Sequence, residues 1–269
     1  MKIHPTAVIH PKAVLADDVE VGAYSVVGEH VTIGAGTRVL SHVSIDGWTD
    51  IGERCELHPF VSVGGPPQHM QYKGEPTKVV IGHDNILREY VTVNRAKVQG
   101  GGVTTVGHSN FLMAYVHVAH DCHLGNHLIL ANAASLAGHI SIGDHAIIGG
   151  LSGIHQFVRI GAYAMVGGCC ALGQDLPPFM RAAGGYRARM YGLNSIGLRR
   201  HGFSAERIAA LKKAYEVLFR SGHRVAEAVK LARETFGASQ DVMQVADFMQ
   251  GTKRGICRSV GKDQEGEEE

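Results

Sequence analysis

IHPTAVIHPKAVLADDVEVGAYSVVGEHVTIGAGTRVLSHVSIDGWTDIGERCELHPFVS, residues 3–62, divides into ten hexads without a slip. Each hexad opens on an aliphatic residue. The fifth place holds only small or β-branched side chains, among them Ala7, Ser25, Thr37, Val43 and Cys55. Two inward positions per hexad are thereby specified, one aliphatic and one small. Glycine recurs at the second place, where its freedom at positive φ would serve a tight turn. The register returns at Ile81 and runs again from Val106 to Pro177. Repetition with this period is the signature of a parallel β-helix.

Two segments depart from the register. GGPPQHMQYKGEPTKVV, between Val63 and Ile81, has the length of one coil yet sets His69 and Glu75 where aliphatics belong. QGGGVTT, after Val98, adds one residue beyond two hexads. Both predict loops, near 64–80 and 98–105, and loops on a rigid scaffold are where binding groups collect. From about Pro177 the pattern turns helical. Phe203 and Ser204 suit a staple and N-cap, followed by Ile208, Leu211, Tyr215 and Leu218 at helical spacing and a stop at Gly222. Further amphipathic stretches cover 224–236 and 239–250. The expected organisation is a β-helix over 1–184, an α-helical domain over 185–258 and a disordered acidic tail over 259–269.

The 269 residues carry 26 Lys or Arg against 25 Asp or Glu, so global charge excludes little. Thirty-five glycines against 6% aromatics argue for close-spaced turns over a core of large rings. Five cysteines (Cys55, Cys122, Cys169, Cys170, Cys257) without CxxC spacing support neither a disulfide framework nor a zinc knuckle. No run reaches the ~18 apolar residues of a membrane span, and the N-terminus shows no secretory signal, so a cytoplasmic location is expected.

Residues 116–161 hold an unusual concentration of histidine. Counted modulo 18 from Val106, His117, His120, His139 and His155 fall on one side of three adjacent coils, none at an inward place. His108, His127 and His145 form a second group on another edge. His120 is followed by Asp121, a carboxylate able to orient an imidazole. Gly138 lies one coil beyond His120 at the same phase, where a bare backbone N–H could serve an oxyanion. His145 also has an acidic neighbour, Asp144, so adjacency ranks the two groups without deciding between them.

At HVAHDC, LANAASLAGH, IIGG, GIHQF and MVGG, with QYKGEPT, VQGGG and NSIGLRRHGFS, the chain resembles the bacterial UDP-N-acetylglucosamine acyltransferases of lipid A synthesis over nearly its full length. The resemblance implies a left-handed β-helix, a homotrimer with active sites between subunits, and transfer of an R-3-hydroxyacyl group from acyl carrier protein to the 3-position of the nucleotide sugar. It implies no metal or redox cofactor. It assigns His120 as general base, Asp121 as its support and Gly138 as oxyanion donor. His117, His139, His155 and Gln156 would line the sugar and diphosphate site, Asn194 and Arg200 would contact nucleotide or pantetheine, and Gly168 would be the acyl-chain ruler. The family's acidic residue two places after the asparagine is Ile196 here. In the loop, Gln68, His69, Met70, Gln71 and Tyr72 replace a family pattern carrying a carboxylate and an ammonium, which raises acylation of a 3-amino sugar as an alternative.

Residues 187–224 contain nine Lys or Arg and two acids, a local charge of 9 − 2 = +7. An acidic protein partner is expected, with Arg220 and Arg224 as its contacts, and nucleic acid is not, since no aromatic residues interleave with the charge. A zinc hydratase of the gamma carbonic anhydrase type, a non-catalytic β-helix, and the later N-acyltransferase of the pathway are the rival readings. The last carries an extra N-terminal domain, for which a repeat starting at Ile3 leaves no room.

Overall fold

The structure, a computed structural model, describes residues 1–259, so all but the first residue of the predicted acidic tail lies outside the described residues. The hexads wind into three parallel sheets, the chain stepping to the next face at each hexad. Lys2–Ile3 begins an 11-stranded first face, Val8–Ile9 a 9-stranded second and Val14–Leu15 an 8-stranded third. Residues 18 apart pair, as Lys2 with Glu20, Val26 with Ser44 and Ser135 with Gly153. The result is a left-handed parallel β-helix. First-place aliphatics such as Val27, Ile33, Ile45 and Leu57 are buried in the prism, each contributing about 1.5–3 kcal/mol.

The recurrent glycines have a different cause from the one the sequence suggested. Gly22, Gly34 and Gly52 do not adopt positive φ; a Cβ on any of them would meet backbone of the next coil at 2.6–2.7 Å. They are required by proximity. The left-handed conformation falls two places later, on residues with side chains: Tyr24, His42, Arg54 and Phe60 have φ of 58°, 60°, 53° and 67°.

The two departures from the register are insertions between faces. Leu57 pairs with Leu87 and Val63 with Val93, 30 residues apart, so the first adds 30 − 18 = 12 residues. Leu87 pairs with Leu112 and Val93 with Val118, 25 apart, so the second adds 25 − 18 = 7. Val63 to Ile81 therefore advances one face, where the sequence suggested a full coil; a twelve-residue insertion leaves a six-residue phase unchanged.

Helices begin later than expected from Pro177. The chain first adds Met180–Ala183 to the first face, reverses at Gly184 (φ 99°), and lays Arg189–Leu193 antiparallel against it. Four helices follow among the described residues: α1 (Ser195–Arg200), α2 (Ala205–Tyr215, continued as a π-helical turn Glu216–Arg220), α3 (Val225–Phe236) and α4 (Gln240–Gln250). Ser204 caps α2 by accepting from the Arg207 N–H, and Ile208, Leu211, Tyr215 and Leu218 are buried. Arg159 ties this domain to the prism, donating from Nε to the buried Asp175 carboxylate at 3.1 Å and from Nη2 to the Phe248 carbonyl at 2.6 Å.

Candidate active site

On the outer surface of the second face, His117, Ser135, Gly153 and Ala171 stand in one ladder, each paired with the next. The corner that follows brings His120 and Gly138 into successive coils at the third place of their hexads, with Asp121 and His139 at the fourth. Along ladder and corner runs a groove of about 710 Å³, lined among others by Gln68, His117, His120, Gly138 and His155. Ladder residues beyond His117 are small, which leaves this track open.

The seven-residue insertion folds over the corner and buries Asp121, which is 1% exposed. The Lys97 N–H donates to both carboxylate oxygens, at 3.1 and 3.2 Å, and Gly100 lies so close to the carboxylate that any Cβ there would collide with it. His120 Nδ1 lies 2.7 Å from Asp121 Oδ2. An ionised carboxylate only accepts, so Nδ1 carries the proton and Nε2 keeps its lone pair. Gly138 sits directly against this ring: a Cβ there would lie 2.6 Å from Cε1 and 2.9 Å from Nε2. Among the described residues no acceptor takes the Gly138 N–H.

The remaining histidines take distinct roles. His139 stacks on Phe157 with centroids 4.5 Å apart, stands edge-on to His120 at 5.1 Å, and points Nε2 toward Asp121 Oδ2 at 3.8 Å. Burial lowers its pKa, with Asp121 opposing. His117 is held through Nδ1 by Thr92 Oγ1 at 2.7 Å; burial, then the neighbouring His120, lowers its pKa too. His155 lines the groove, its Nδ1 3.2 Å from the Gln156 carbonyl, while the Gln156 side chain is exposed beyond it.

From the twelve-residue insertion, Gln68 reaches the groove and the His69 ring stands 5.7 Å from His120. Tyr72 braces the loop, accepting from Arg95 Nε at 2.8 Å and donating to the Glu75 carbonyl at 2.7 Å. Met70 and Gln71 point into solvent. Three further sequence candidates are not brought to the groove within one chain. Asn194 is committed as the N-cap of α1, accepting from the Gly197 N–H and donating to the Tyr163 carbonyl at 3.0 Å. Arg200 is exposed at the end of α1, and Gly168 is exposed on the corner between first and second faces.

Sequence reasoning missed Lys97, whose Nζ lies 2.9 Å from His69 Nε2 and restores an ammonium beside a loop that had lost one. Its position in an insertion hid it from phase counting. The second histidine group lies on another corner and lacks the same support. His127 and His145 stack at 4.8 Å, and the Asp144 carboxylate accepts from the Asn126 N–H at 2.8 Å instead of orienting a ring. Among the described residues, the only His, Cys, Asp or Glu trio close enough to hold a metal ion is His120, Asp121 and His139. Its carboxylate already accepts from Lys97 and His120, a set unlike the three imidazoles of the zinc rival.

The basic stretch is less uniform than its sequence. Arg207 forms a two-point pair with Asp241, both contacts at 2.8 Å, and the Arg220 side chain is 11% exposed and paired with Glu216 at 3.3 Å. Arg199, Arg200, Lys212 and Lys213 are exposed.

An imidazole oriented by a buried carboxylate, set in a groove on a hexad-wound prism, places the chain among the hexapeptide-repeat transferases. Residues 1–35 match the family described as bacterial transferase hexapeptide (six repeats), and residues 175–257 match UDP N-acetylglucosamine O-acyltransferase, domain 2. The acyl-[acyl-carrier-protein]–UDP-N-acetylglucosamine O-acyltransferase of Thermodesulfovibrio yellowstonii is 52% identical over 257 residues, 96% of this chain and 99% of that protein. That of Ralstonia nicotianae is 53% identical, covering 96% and 98%. The crystal structure of UDP-N-acetylglucosamine O-acyltransferase from Moraxella catarrhalis superposes with a TM-score of 0.93 at 42% identity, covering 96% of this chain and 100% of that one. The chain belongs to the acyl-[acyl-carrier-protein]–UDP-N-acetylglucosamine O-acyltransferase family.

Proposed function

We propose that this enzyme transfers an R-3-hydroxyacyl group from acyl carrier protein to the 3-hydroxyl of UDP-N-acetylglucosamine. The observation that carries the mechanism is the 2.7 Å contact between His120 Nδ1 and Asp121, which leaves Nε2 basic beside Gly138. His120 Nε2 takes the proton of the sugar hydroxyl as its oxygen attacks the thioester carbonyl. The Gly138 N–H donates to the oxyanion that forms. Collapse breaks the C–S bond, and the imidazolium returns its proton to the departing thiolate, giving the O-acyl sugar and the carrier's free thiol. These groups supply base, orientation and oxyanion donor from the chain itself, so no metal or redox cofactor is required. His117, His139 and His155 line the sugar side, with Gln68 and His69 from the loop. In the same reading Gly168 borders the acyl chain and Asn194 and Arg200 face ligand across a subunit boundary. A homotrimer is supported by an exposed aromatic stripe along one prism corner, Tyr24, His42, Phe60, Tyr90 and Tyr115, with ring centroids 4.8–5.1 Å apart. No helix of the described residues is long and apolar enough to cross a membrane; the cytoplasm, where the carrier protein and nucleotide sugar are found, is the proposed compartment.

A second reading, amide formation on the 3-amino analogue of the sugar, is favoured by one observation. An amine must be uncharged to attack. The Lys97 ammonium at His69, in a loop lacking the family's carboxylate, disfavours a protonated amine nearby. Offering both sugars with one donor decides: a strong preference for the hydroxyl sugar eliminates amide formation. Substituting His120→Ala should reduce kcat about 10²–10⁴-fold with the fold retained; a folded variant within a few-fold of the parent removes His120 as base.

A further inference from the structure

The two insertions meet beside the active-site corner and are tied to each other. The Lys78 N–H, where the first insertion rejoins the prism, donates to the Gly102 carbonyl of the second at 2.8 Å. Arg95, where the chain leaves the prism for the second insertion, donates from Nε to the Tyr72 hydroxyl of the first at 2.8 Å. The third tie is Lys97. Its backbone N–H donates to both oxygens of Asp121, and its Nζ lies 2.9 Å from His69 Nε2. His69 in turn stands edge-on to His120 with centroids 5.7 Å apart, and His120 Nδ1 meets Asp121 at 2.7 Å. Lys97, Asp121, His120 and His69 thus form a closed circuit, in which a single residue holds the carboxylate behind the ring of His120 by its backbone and an imidazole of the loop by its side chain.

Lys97 sets the place of that imidazole more firmly than its own loop does. A neutral ring offers one lone pair, and His69 meets two donors, the Gln71 N–H 3.2 Å from Nδ1 and Lys97 Nζ 2.9 Å from Nε2. The charged and shorter contact is the stronger. Nothing draws the ammonium elsewhere, since among the described residues no carboxylate forms an ion pair with it. We propose that Lys97 is a positioning residue that couples acceptor recognition to the base: it holds His69 against the sugar from the same insertion that holds Asp121 behind His120. This rests on the nucleotide-sugar acceptor of the proposed function and adds how sugar and base are kept in register. A small shift of the insertion carries ring and carboxylate together, whereas a loop supported by itself would drift relative to the base, and a misplacement near 1 Å lowers rate about 10²-fold.

The test is a double-mutant cycle read in kinetics. Lys97→Met keeps the side-chain stem and the backbone N–H but removes the ammonium. It should raise KM for the nucleotide sugar about tenfold or more, the worth of a charged hydrogen bond, and change kcat far less. His69→Ala should do the same, and the double variant should be no worse than the worse of the two, as for groups acting through one another. Effects that multiply, to about a hundredfold together, would mean that Lys97 reaches the sugar on its own account and would overturn the proposal. So would an unchanged KM in either single variant, or a Lys97→Met defect confined to kcat or to thermal stability. Gly100→Ala disturbs the insertion at its contact with Asp121 and should lower kcat and raise the sugar KM together; a lowered kcat with KM intact also refutes the coupling. Calorimetric Kd for the nucleotide sugar supplies the same cycle without turnover. A wild type that binds the sugar and transfers nothing therefore fails the functional reading, while the coupling stands or falls on Kd.

Discussion

Gly138→Ala isolates the geometry on which the proposed catalysis depends. The added methyl would lie 2.6 Å from His120 Cε1, 2.9 Å from Nε2 and 3.1 Å from Nδ1. All three approaches are inside van der Waals contact, so the ring must move by several tenths of an ångström. It cannot retreat along its own plane, because Nδ1 is held at 2.7 Å by an Asp121 that the Lys97 N–H and the seven-residue insertion fix in turn. Ring movement therefore strains or breaks a charge-assisted hydrogen bond worth about 1.5–3 kcal/mol, and a misplacement approaching 1 Å lowers rate about 10²-fold. Stability should fall by less than the worth of that bond, because the substitution carries an offsetting gain. Gly138 does not adopt positive φ, and exchanging glycine for alanine narrows the unfolded ensemble by about 0.4–1 kcal/mol. The expected outcome is kcat down about a hundredfold in a steady-state acyl-transfer assay, with thermal unfolding within a few degrees of the parent. A variant retaining a third or more of parental kcat would show that the ring is not the base.

Asn85 is buried and donates from Nδ2 to the Gly82 and Gly107 carbonyls at 2.9 and 2.8 Å while accepting from the Asn110 N–H. Asn85→Ala strips the Gly107 carbonyl and the Asn110 N–H of their partner and leaves the Gly82 carbonyl only the Cys55 thiol at 3.1 Å, and should destabilise by several kcal/mol, at about 1–3 for each lost partner, as measured by denaturant unfolding; a loss under 1 kcal/mol contradicts it. Burial holds His117, His139 and His145 below the ordinary value of 6.5, so the native state binds fewer protons than the unfolded chain below that pH. Their contribution is present above 6.5 and lost as pH falls, and replacing His117 and His139 by Asn should shrink the loss of Tm on acidification to pH 5.5; an undiminished loss refutes it. Lys212→Glu with Lys213→Glu should raise KM for an acidic carrier protein and reduce its salt dependence, whereas Arg220→Gln, removing a largely buried group, should act mainly on stability. Equal KM effects from both would mean the surface is misassigned.

The inward face of the fold was legible because parallel strands buried on one side repeat their demands every six residues, and Val27, Ile45 and Leu57 announce themselves. The side of the prism shared by His117, His120, His139 and His155 followed from the same count. What the count could not show was anything that adds whole hexads or folds across the phase. A twelve-residue insertion looks like repeat, so Gln68 and His69 could be named but not placed, and Lys97 and Gly100 were missed although they bury Asp121. Nor does local charge density reveal pairing: Arg207 with Asp241 and Arg220 with Glu216 are contacts between helical turns or helices. The fifth-place asparagines, Asn85 and Asn110, violate the small or β-branched rule because their side chains satisfy corner carbonyls and N–H groups inside the prism.

Histidine and aspartate are adjacent at His83–Asp84 and Asp144–His145 on the third-face corner and at His120–Asp121 on the second-face corner, and only the last ring is oriented by its neighbour; His83 Nδ1 instead accepts from the Glu53 N–H at 2.9 Å, and Asp84 pairs with Arg54. At the third-face corner a third-place side chain caps the third-place N–H of the preceding coil: His83 N–H donates to His108 Nδ1 at 2.9 Å, His108 N–H to Asn126 Oδ1 at 2.7 Å, and Asn126 N–H to Asp144 Oδ1 at 2.8 Å. Asp144, in the third place, is consumed by that ladder. At the second-face corner the aspartate is fourth and the third-place series reads His120, Gly138, Gln156. Glycine has no side chain to cap His120, and the longer Gln156 leaves the Gly138 N–H free. The proposed oxyanion donor is thus a gap in a capping ladder, and Gln156→Asp should close it as Asp144 does one corner away. The variant should be at least as stable as the parent, yet lose about 10²–10³ in kcat, the worth of one oxyanion donor, with KM for the nucleotide sugar changed far less. Full turnover in a Gln156→Asp protein whose Gly138 amide shows slowed hydrogen exchange would mean that the reaction does not use that N–H.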